Sequence, residues 1–302
     1  MSNRFIARSA LGLAGMAATC FLYGVAIERR WYTTRFDTIH RDRPVVSPLR
    51  IALFSDLHYR PGQEHRLHYV MNAVVDAQPD LIVSAGDNLE HAGGMDAVIA
   101  THAAMTAALP SVPAIAALGA HDYWGPTPAL NPFRYFVSRT SNVKPTGERF
   151  NTDRFIAGLE DAGWIVPVNG QGVLTSPQGR IHFSVVDDPH IGRDDLGAVA
   201  HQPNEPVVIQ LGITHAPYRR VLDHYVGIGC DLILAGHTHG GQVCVPFYGA
   251  LVTNCDLPPA QASGLSYHRD TPLVVTAGLG HSTYAPFRFA CRPEVRIIDI
   301  QM

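Results

Sequence analysis

The chain has 302 residues, 46% of them hydrophobic and 16% charged, with a formal net charge of −3. That length supports a substantial core in one large domain or two small ones. The near-neutral balance excludes nucleic-acid binding through a broad basic surface. An anionic substrate must therefore be captured locally, by metals or a few arginines.

The first element is the uncharged run SALGLAGMAATCFLYGVAI at 9–27. As a helix, its 19 residues come close to spanning a ~30 Å hydrocarbon core. Two readings compete: a cleaved signal peptide and an uncleaved anchor. The run exceeds the ~7–15 apolar residues of a signal, and Arg29–Arg30 is a poor cleavage context. The expectation is therefore a single-pass anchor at 1–30 and a membrane location. Lysine and arginine flank both ends about equally, so orientation is left open. Residues 31–48, with Pro44 and Pro48, read as a tether, and 49–302 as one domain.

From residue 50 short apolar runs alternate with amphipathic stretches. RIALFS at 50–55 reads as a strand ending at Asp56, and 66–77 as a helix. LIVS at 81–84 is a second strand, ending at Gly86–Asp87. An Ala-rich helix covers 95–108, and a third strand at 112–118 ends at Gly119. The Pro-, Asn- and Ser-rich stretch 125–149 reads as a surface insertion, and 155–162 as a helix. Further strands are read at 181–186, 207–214, 231–235, 273–277 and 295–300. This rhythm implies an α/β domain with a partly parallel sheet. The five cysteines contain no CxxC pair, which argues against a zinc ribbon. Two disulfides or buried thiols fit the four cysteines beyond the N-terminal run, and buried thiols fit better.

Asp56, Asp87, His121, His215 and His237 each follow an apolar strand within a few residues. In open α/β sheets, ligands gather at the carboxyl ends of strands, so the five imply one shared site. In SDLH, Asp56 and His58 are two apart and point the same way at a strand end. In AGDN, Asp87 has two oxygens able to bridge two cations. In GAHDYW, Asp122 follows His121 and could fix its tautomer, while Tyr123 and Trp124 fit an apolar wall and core packing equally. THAP supplies His215. AGHTHGGQ pairs His237 with His239 among three glycines, and is the most specific motif of the set. Side chains of N and O type without a thiolate suit Mn, Fe, Zn or Mg. Two such ions about 3.5–4 Å apart orient a phosphate for in-line attack. Asp188 and His190 in VDDPH, and Asn254 and His281 in Gly/Pro-rich loops, are candidates for a substrate pocket.

The series D-x-H, G-D, G-x-H-D, H-x-P and G-H-T-H-G-G-Q resembles the calcineurin-like metallophosphoesterase superfamily. The anchor, TAGLG and RFACRPE resemble its membrane-associated bacterial branch. The resemblance implies a four-layer α/β sandwich of two mixed sheets flanked by helices. By matching positions, it implies that Asp56, His58 and His239 hold one metal, Asp87 bridges, and His215 and His237 hold the second. It also implies that His121 is the general acid, positioned by Asp122. One position departs. The family pattern is Gly-Asn-His-Asp with Asn as a ligand, and here Ala120 stands in its place. The second site is then expected to be weak unless Asn88 or water compensates.

The function expected is metal-dependent hydrolysis of a phosphomonoester or phosphodiester, on a lipid- or nucleotide-linked substrate if the membrane location holds. The alternative is a catalytically weakened protein that binds metal and phosphate. A different metallohydrolase, acting on amides or carboxylic esters, is disfavoured by the order of the motifs.

Overall fold

A computed structural model of the chain describes residues 3–40, 48–126, 144–176, 178–283 and 285–301. Most of the insertion read at 125–149 lies outside these residues. In chain order come α1 (Asn3–Ala26), β1 (Thr33–His40), β2 (Leu49–Phe54), α2 (Glu64–Ala77), β3 (Leu81–Ser84), α3 (Met95–Ala108), β4 (Ala114–Ala116) and the short α4 (Ala120–Tyr123). Then follow α5 (Thr152–Asp161), β5 (Gly170–Ser176), β6 (Gly179–Val185), β7 (Ile209–Thr214), α6 (Arg219–Gly227) and β8 (Leu232–Ala235). The chain closes with β9 (Cys244–Val245), β10 (Gly249–Ala250), β11 (Gly264–His268), β12 (Thr271–Val275) and β13 (Glu294–Gln301).

The strands form two mixed sheets and a small ribbon of β9 and β10. One sheet has the order β1-β13-β2-β3-β4, the other β11-β12-β8-β7-β6-β5. In the first, β2, β3 and β4 run parallel, and β13 is antiparallel to β2. In the second, β6, β7, β8 and β12 run parallel.

The period-2 alternation of side chains explains the layering. On β2, Ile51 and Leu53 join Leu211, Ile213 and Leu234 of the facing sheet in one core. Their neighbours Ala52 and Phe54 point the other way, against Val70 and Val74 of α2 and Val98 and Met105 of α3. On the far side, Ile233 and Ala235 of β8 pack with Val221, Leu222 and Tyr225 of α6. Central strands buried on both faces read as continuous apolar runs, as LIVS and LILA do. The five cysteines are free thiols.

The N-terminal expectations need correction. Among the described residues, no helix is long and apolar enough to cross a membrane, so the single-pass anchor and the membrane location it implied are withdrawn. The end of α1 is instead held by protein. Phe21 and Phe287 rings lie 5.2 Å apart, and Tyr23 meets Phe289 edge-on at 6.4 Å. The buried Glu28 carboxylate accepts from the backbone N–H groups of Ala290 (3.0 Å) and Cys291 (2.6 Å). The stretch read as a tether contains β1, paired in register with β13 from Thr33↔Glu294 to His40↔Gln301.

Candidate metal centre

Parallel strands present their carboxyl ends at one edge, and the motif residues sit there. Asp56 and His58 follow β2, Asp87 follows β3, His121 lies in α4 after β4, His215 follows β7, and His237 and His239 follow β8. Asp56, His58, Asp87, His237 and His239 have positive φ (51°, 40°, 55°, 69° and 51°). Non-glycine residues rarely adopt that conformation, and such strain collects at functional sites.

Asp56, His58 and His239 form one group with a donor atom each. Asp56 Oδ1 lies 3.8 Å from His58 Nε2 and 3.7 Å from His239 Nε2. Both Asp56 Oδ1 and His58 Nε2 are buried without a hydrogen-bond partner among the described residues. Orphaned buried polar atoms are costly. Separations near 3.7 Å are too long for hydrogen bonds, yet fit donors sharing a cation with bonds of about 2.0–2.2 Å. The other Asp56 oxygen is engaged: Oδ2 accepts from His237 N (3.0 Å) and from the Ser55 hydroxyl.

Asp87 joins the two halves through a single oxygen. Its Oδ2 lies 3.5 Å from His58 Nε2 and 3.2 Å from His215 Nε2. Its Oδ1 accepts from His121 N at 2.8 Å, so the two-oxygen bridge expected from the carboxylate gives way to one oxygen facing both sides. His237 Nδ1 is 3.3 Å from His215 Nε2. His237 nevertheless falls outside the tight three-residue groups found among the described residues, which on this side are Asp56, Asp87 and His215, and His58, Asp87 and His121. The donor set here is therefore looser, on the side where Ala120 offers no ligand atom.

Outer partners set which ring nitrogen faces the centre. His58 Nδ1 pairs with Glu90 Oε2 at 2.6 Å, His215 Nδ1 with Ala85 O at 2.8 Å, and His237 Nε2 with Asn254 O at 3.2 Å. Each pairing puts the N–H outward and turns the other nitrogen's lone pair inward, as ligation requires. Burial first, and neighbouring imidazoles second, hold His237 (beside His190 and His215) and His239 (beside His58) well below the usual histidine range, which keeps both neutral. Burial opposes ionisation of Asp87, but His215 and His121 outweigh it and hold its pKa well below the carboxylate range.

Glu90 is the residue that sequence reasoning missed. It is 2% exposed, and besides His58 it lies 3.1 Å from His121 Nδ1 and 2.8 Å from Arg60 Nη2. Burial would lower the His121 pKa, but the charges of Glu90 and Asp87 raise it to about 9. The available signal was a carboxylate three residues after Asp87, of the kind that orients metal-binding histidines.

Asp122 does not position the His121 ring. Its carboxylate accepts from the backbone N–H groups of Asp87 (2.9 Å), Asn88 (2.8 Å), Leu89 (3.3 Å) and Gly119 (3.0 Å), tying two strand-end loops together. Burial pushes it up, Asp87 adds to this, and it reaches about 6. Asn88 does not compensate for Ala120 either. Its side chain is fully buried, with Oδ1 on Ser84 Oγ (3.0 Å) and Nδ2 toward Asp122 (3.5 Å). Tyr123 is not an apolar wall: its hydroxyl donates to Asp187 at 2.9 Å, and Arg193 lies over its ring.

The proposed pocket residues divide. The His190 ring is 4.5 Å from His237, with Nδ1 2.9 Å from Tyr218 Oη. Asp188 is fully buried, caps His190 N through Oδ1, and has no partner for Oδ2 among the described residues. Asn254 reaches His237 through both its carbonyl and its side chain. These three adjoin the centre. His281 does not: its Nδ1 pairs with Ser282 O, and it lines a separate cavity with Arg29, Arg30 and Arg66.

The family profile described as Calcineurin-like phosphoesterase matches residues 49–241, more than half of the chain. The chain is 26% identical over 265 residues to the uncharacterized metallophosphoesterase YkuE of Bacillus subtilis (strain 168), covering 83% of this chain and 79% of that protein. It is 24% identical over 304 residues to phosphodiesterase YaeI of Escherichia coli (strain K12), covering 99% and 98%. It is 27% identical over 303 residues to the uncharacterized metallophosphoesterase YkoQ of Bacillus subtilis (strain 168), covering 96% and 98%. The chain belongs to the calcineurin-like phosphoesterase family.

Proposed function

We propose that this calcineurin-like phosphoesterase hydrolyses phosphoesters at a centre for two divalent cations, and that phosphodiesters are its better substrates. Asp56, His58 and His239 would hold one cation, His215 and His237 the other, with Asp87 between them. When bound, divalent cations supply Lewis-acid chemistry: they draw charge from phosphoryl oxygens and lower the pKa of water. The carrying observation is the buried, partnerless pair Asp56 Oδ1 and His58 Nε2 facing one another at 3.8 Å. The preference for diesters rests on the likeness to YaeI, which is named a phosphodiesterase.

The chain's own groups supply the rest. His121 Nδ1 leans on Glu90. The raised pKa keeps the ring protonated at neutral pH, so Nε2 can deliver a proton to the departing oxygen. The His121 side chain is 25% exposed, so it can reach a bound substrate. Glu90 positions both His58 and His121, and Asp122 holds the Asp87 loop through its backbone amides. His190 and Asn254 adjoin His237 and would border the second cation.

A second reading has one observation in its favour. Ala120 and the loosely grouped His237 fit a protein that retains one cation and binds a phosphorylated ligand with little turnover. One experiment separates the two. The full chain is loaded with Mn²⁺ and offered an aryl phosphodiester and an aryl phosphate, with and without chelator. Turnover that chelator abolishes and His121→Ala strongly reduces supports hydrolysis. Stoichiometric metal with no turnover on either ester favours the binding role.

A further inference from the structure

We infer that the cavity between the end of α1 and the start of α2 is a binding site for a phosphate group, separate from the metal centre. The cavity measures about 250 Å³, and its lining includes Arg29, Arg30, Gln63, His65, Arg66 and His281, with no acidic side chain among the lining residues.

Three observations carry the assignment. The first is charge without a counter-charge. The nearby acids are committed elsewhere: Glu28 caps Ala290 and Cys291, and Glu64 accepts from Gly62 N and the Tyr59 hydroxyl. Arg66 is the buried member of the three, and burying a guanidinium without a counter-ion is costly; Arg29 is half-buried and donates to Pro286 O at 2.9 Å, and Arg30 is exposed. The histidines feel it as well. Burial first, then Arg66, Arg30 and Arg29, lower His65, and burial and Arg66 push His281 down to about 3.

The second is Arg66 itself. It is only 3% exposed, and its Nη1 donates to the carbonyls of Leu57 and His58. Its Nε is buried with no partner among the described residues, whereas the unpaired Gln63 Oε1 is an acceptor that an anion does not satisfy. A buried guanidinium N–H without an acceptor is the donor that a phosphate oxygen satisfies, in a short charge-assisted bond.

The third is the backbone. Gln63 is the N-cap of α2, a helix of 14 residues, and makes no side-chain cap bond. The positive end of the helix dipole lies beside the cavity, with its first amides already engaged: Gln63 N donates to Arg60 O (3.2 Å) and Arg66 N to Gln63 O (3.0 Å). Arginines, an uncapped helix start and a buried orphan donor converge on one volume. Arg66 also holds the backbone carbonyl of His58, although none of the metal-centre residues lines the cavity.

The phosphate could be free or part of a larger ligand, and two probes distinguish these sources. Inorganic phosphate and phenylphosphonate, whose carbon–phosphorus bond the centre cannot hydrolyse, are titrated calorimetrically into the metal-loaded full chain. The same titrations follow on Arg30→Glu and Arg29→Ala, whose folding is checked by circular dichroism and whose metal content is measured. We expect the variants to bind one equivalent less, or to bind it at least about tenfold more weakly, since one charge-assisted hydrogen bond is worth roughly that factor. Loss of an equivalent with both probes supports a general phosphate site. Loss with phenylphosphonate alone supports a ligand that carries its phosphate on a larger body. Unchanged stoichiometry and affinity for both probes in both folded variants overturns the assignment.

Discussion

Replacing Glu90 by Gln keeps the shape of the side chain and removes its charge. In the native protein the carboxylate accepts from His58 Nδ1 at 2.6 Å and from Arg60 Nη2 at 2.8 Å, and it lies 3.1 Å from His121 Nδ1 as a neighbouring charge, all while 2% exposed. The bond to His58 is charge-assisted and fixes the tautomer that aims Nε2 at the centre. Such a bond is worth about 1.5–3 kcal/mol, which converts to roughly 10- to 150-fold in an equilibrium constant. Loss of outer partners of metal-binding histidines typically costs about 10- to 100-fold in metal affinity. Glu90→Gln should therefore weaken the tighter cation by about 10- to 100-fold, read by competition with a chromophoric chelator on the full chain. The thermal transition of the chelated protein serves as the folding control. A folded Glu90→Gln variant whose metal affinity stays within about twofold of wild type would refute the argument that Glu90 orients His58.

Four further outcomes follow. Ala120→Asn places a ligand-type side chain beside the looser group and should raise affinity for the second cation, read as metal stoichiometry at limiting concentration; no change would mean that position 120 does not face that cation. Activity that needs protonated His121 should be full below its raised pKa of about 9 and fall as pH rises through it. Cations nearby pull that value down, so the test is relative: in Glu90→Gln the fall should come at lower pH than in wild type. Gly236→Ala would drive a Cβ into Ser55 Oγ and to 2.8 Å from Asp56 Oδ2; a cost of about 1–3 kcal/mol and weakened metal binding are expected by urea unfolding and metal titration. Arg288 is fully buried and donates to the carbonyls of Ala277, Gly278, Gly280, His239 and Cys291. Arg288→Met orphans several of these and should cost about 3 kcal/mol or more of stability, measured by urea unfolding.

The legible part of this protein is local. Asp56 and His58, or His237 and His239, are two residues apart just after apolar strands, which places each pair at the same sheet edge; how their side chains turn depends on the left-handed backbone at all four. Strands β2, β3, β7 and β8 are readable because burial on both faces makes them predominantly apolar. Strands β1 and β5 were not, because they lie at sheet edges with mixed exposure, and β5 opens GQG. The short α6 shows its apolar face only once Val221, Leu222 and Tyr225 are seen against β8.

What tertiary structure decided are the pairings between distant groups. No spacing rule says that Glu90 serves His58 and His121 at once, that Asp122 spends its carboxylate on four backbone amides, or that Asn88 turns to Ser84. Burial imposes those choices, since each buried donor and acceptor must find whichever partner the packed loops bring near. The same holds at the N-terminus, where composition suggested a lipid environment for α1 and long-range contacts to Phe287, Phe289, Ala290 and Cys291 hold its end against the protein. Sequence settled which chemistry gathers at the sheet edge, because ligand type and strand periodicity are written residue by residue. Only the fold settled which group holds which, because hydrogen-bond satisfaction in a buried site is a property of the whole neighbourhood.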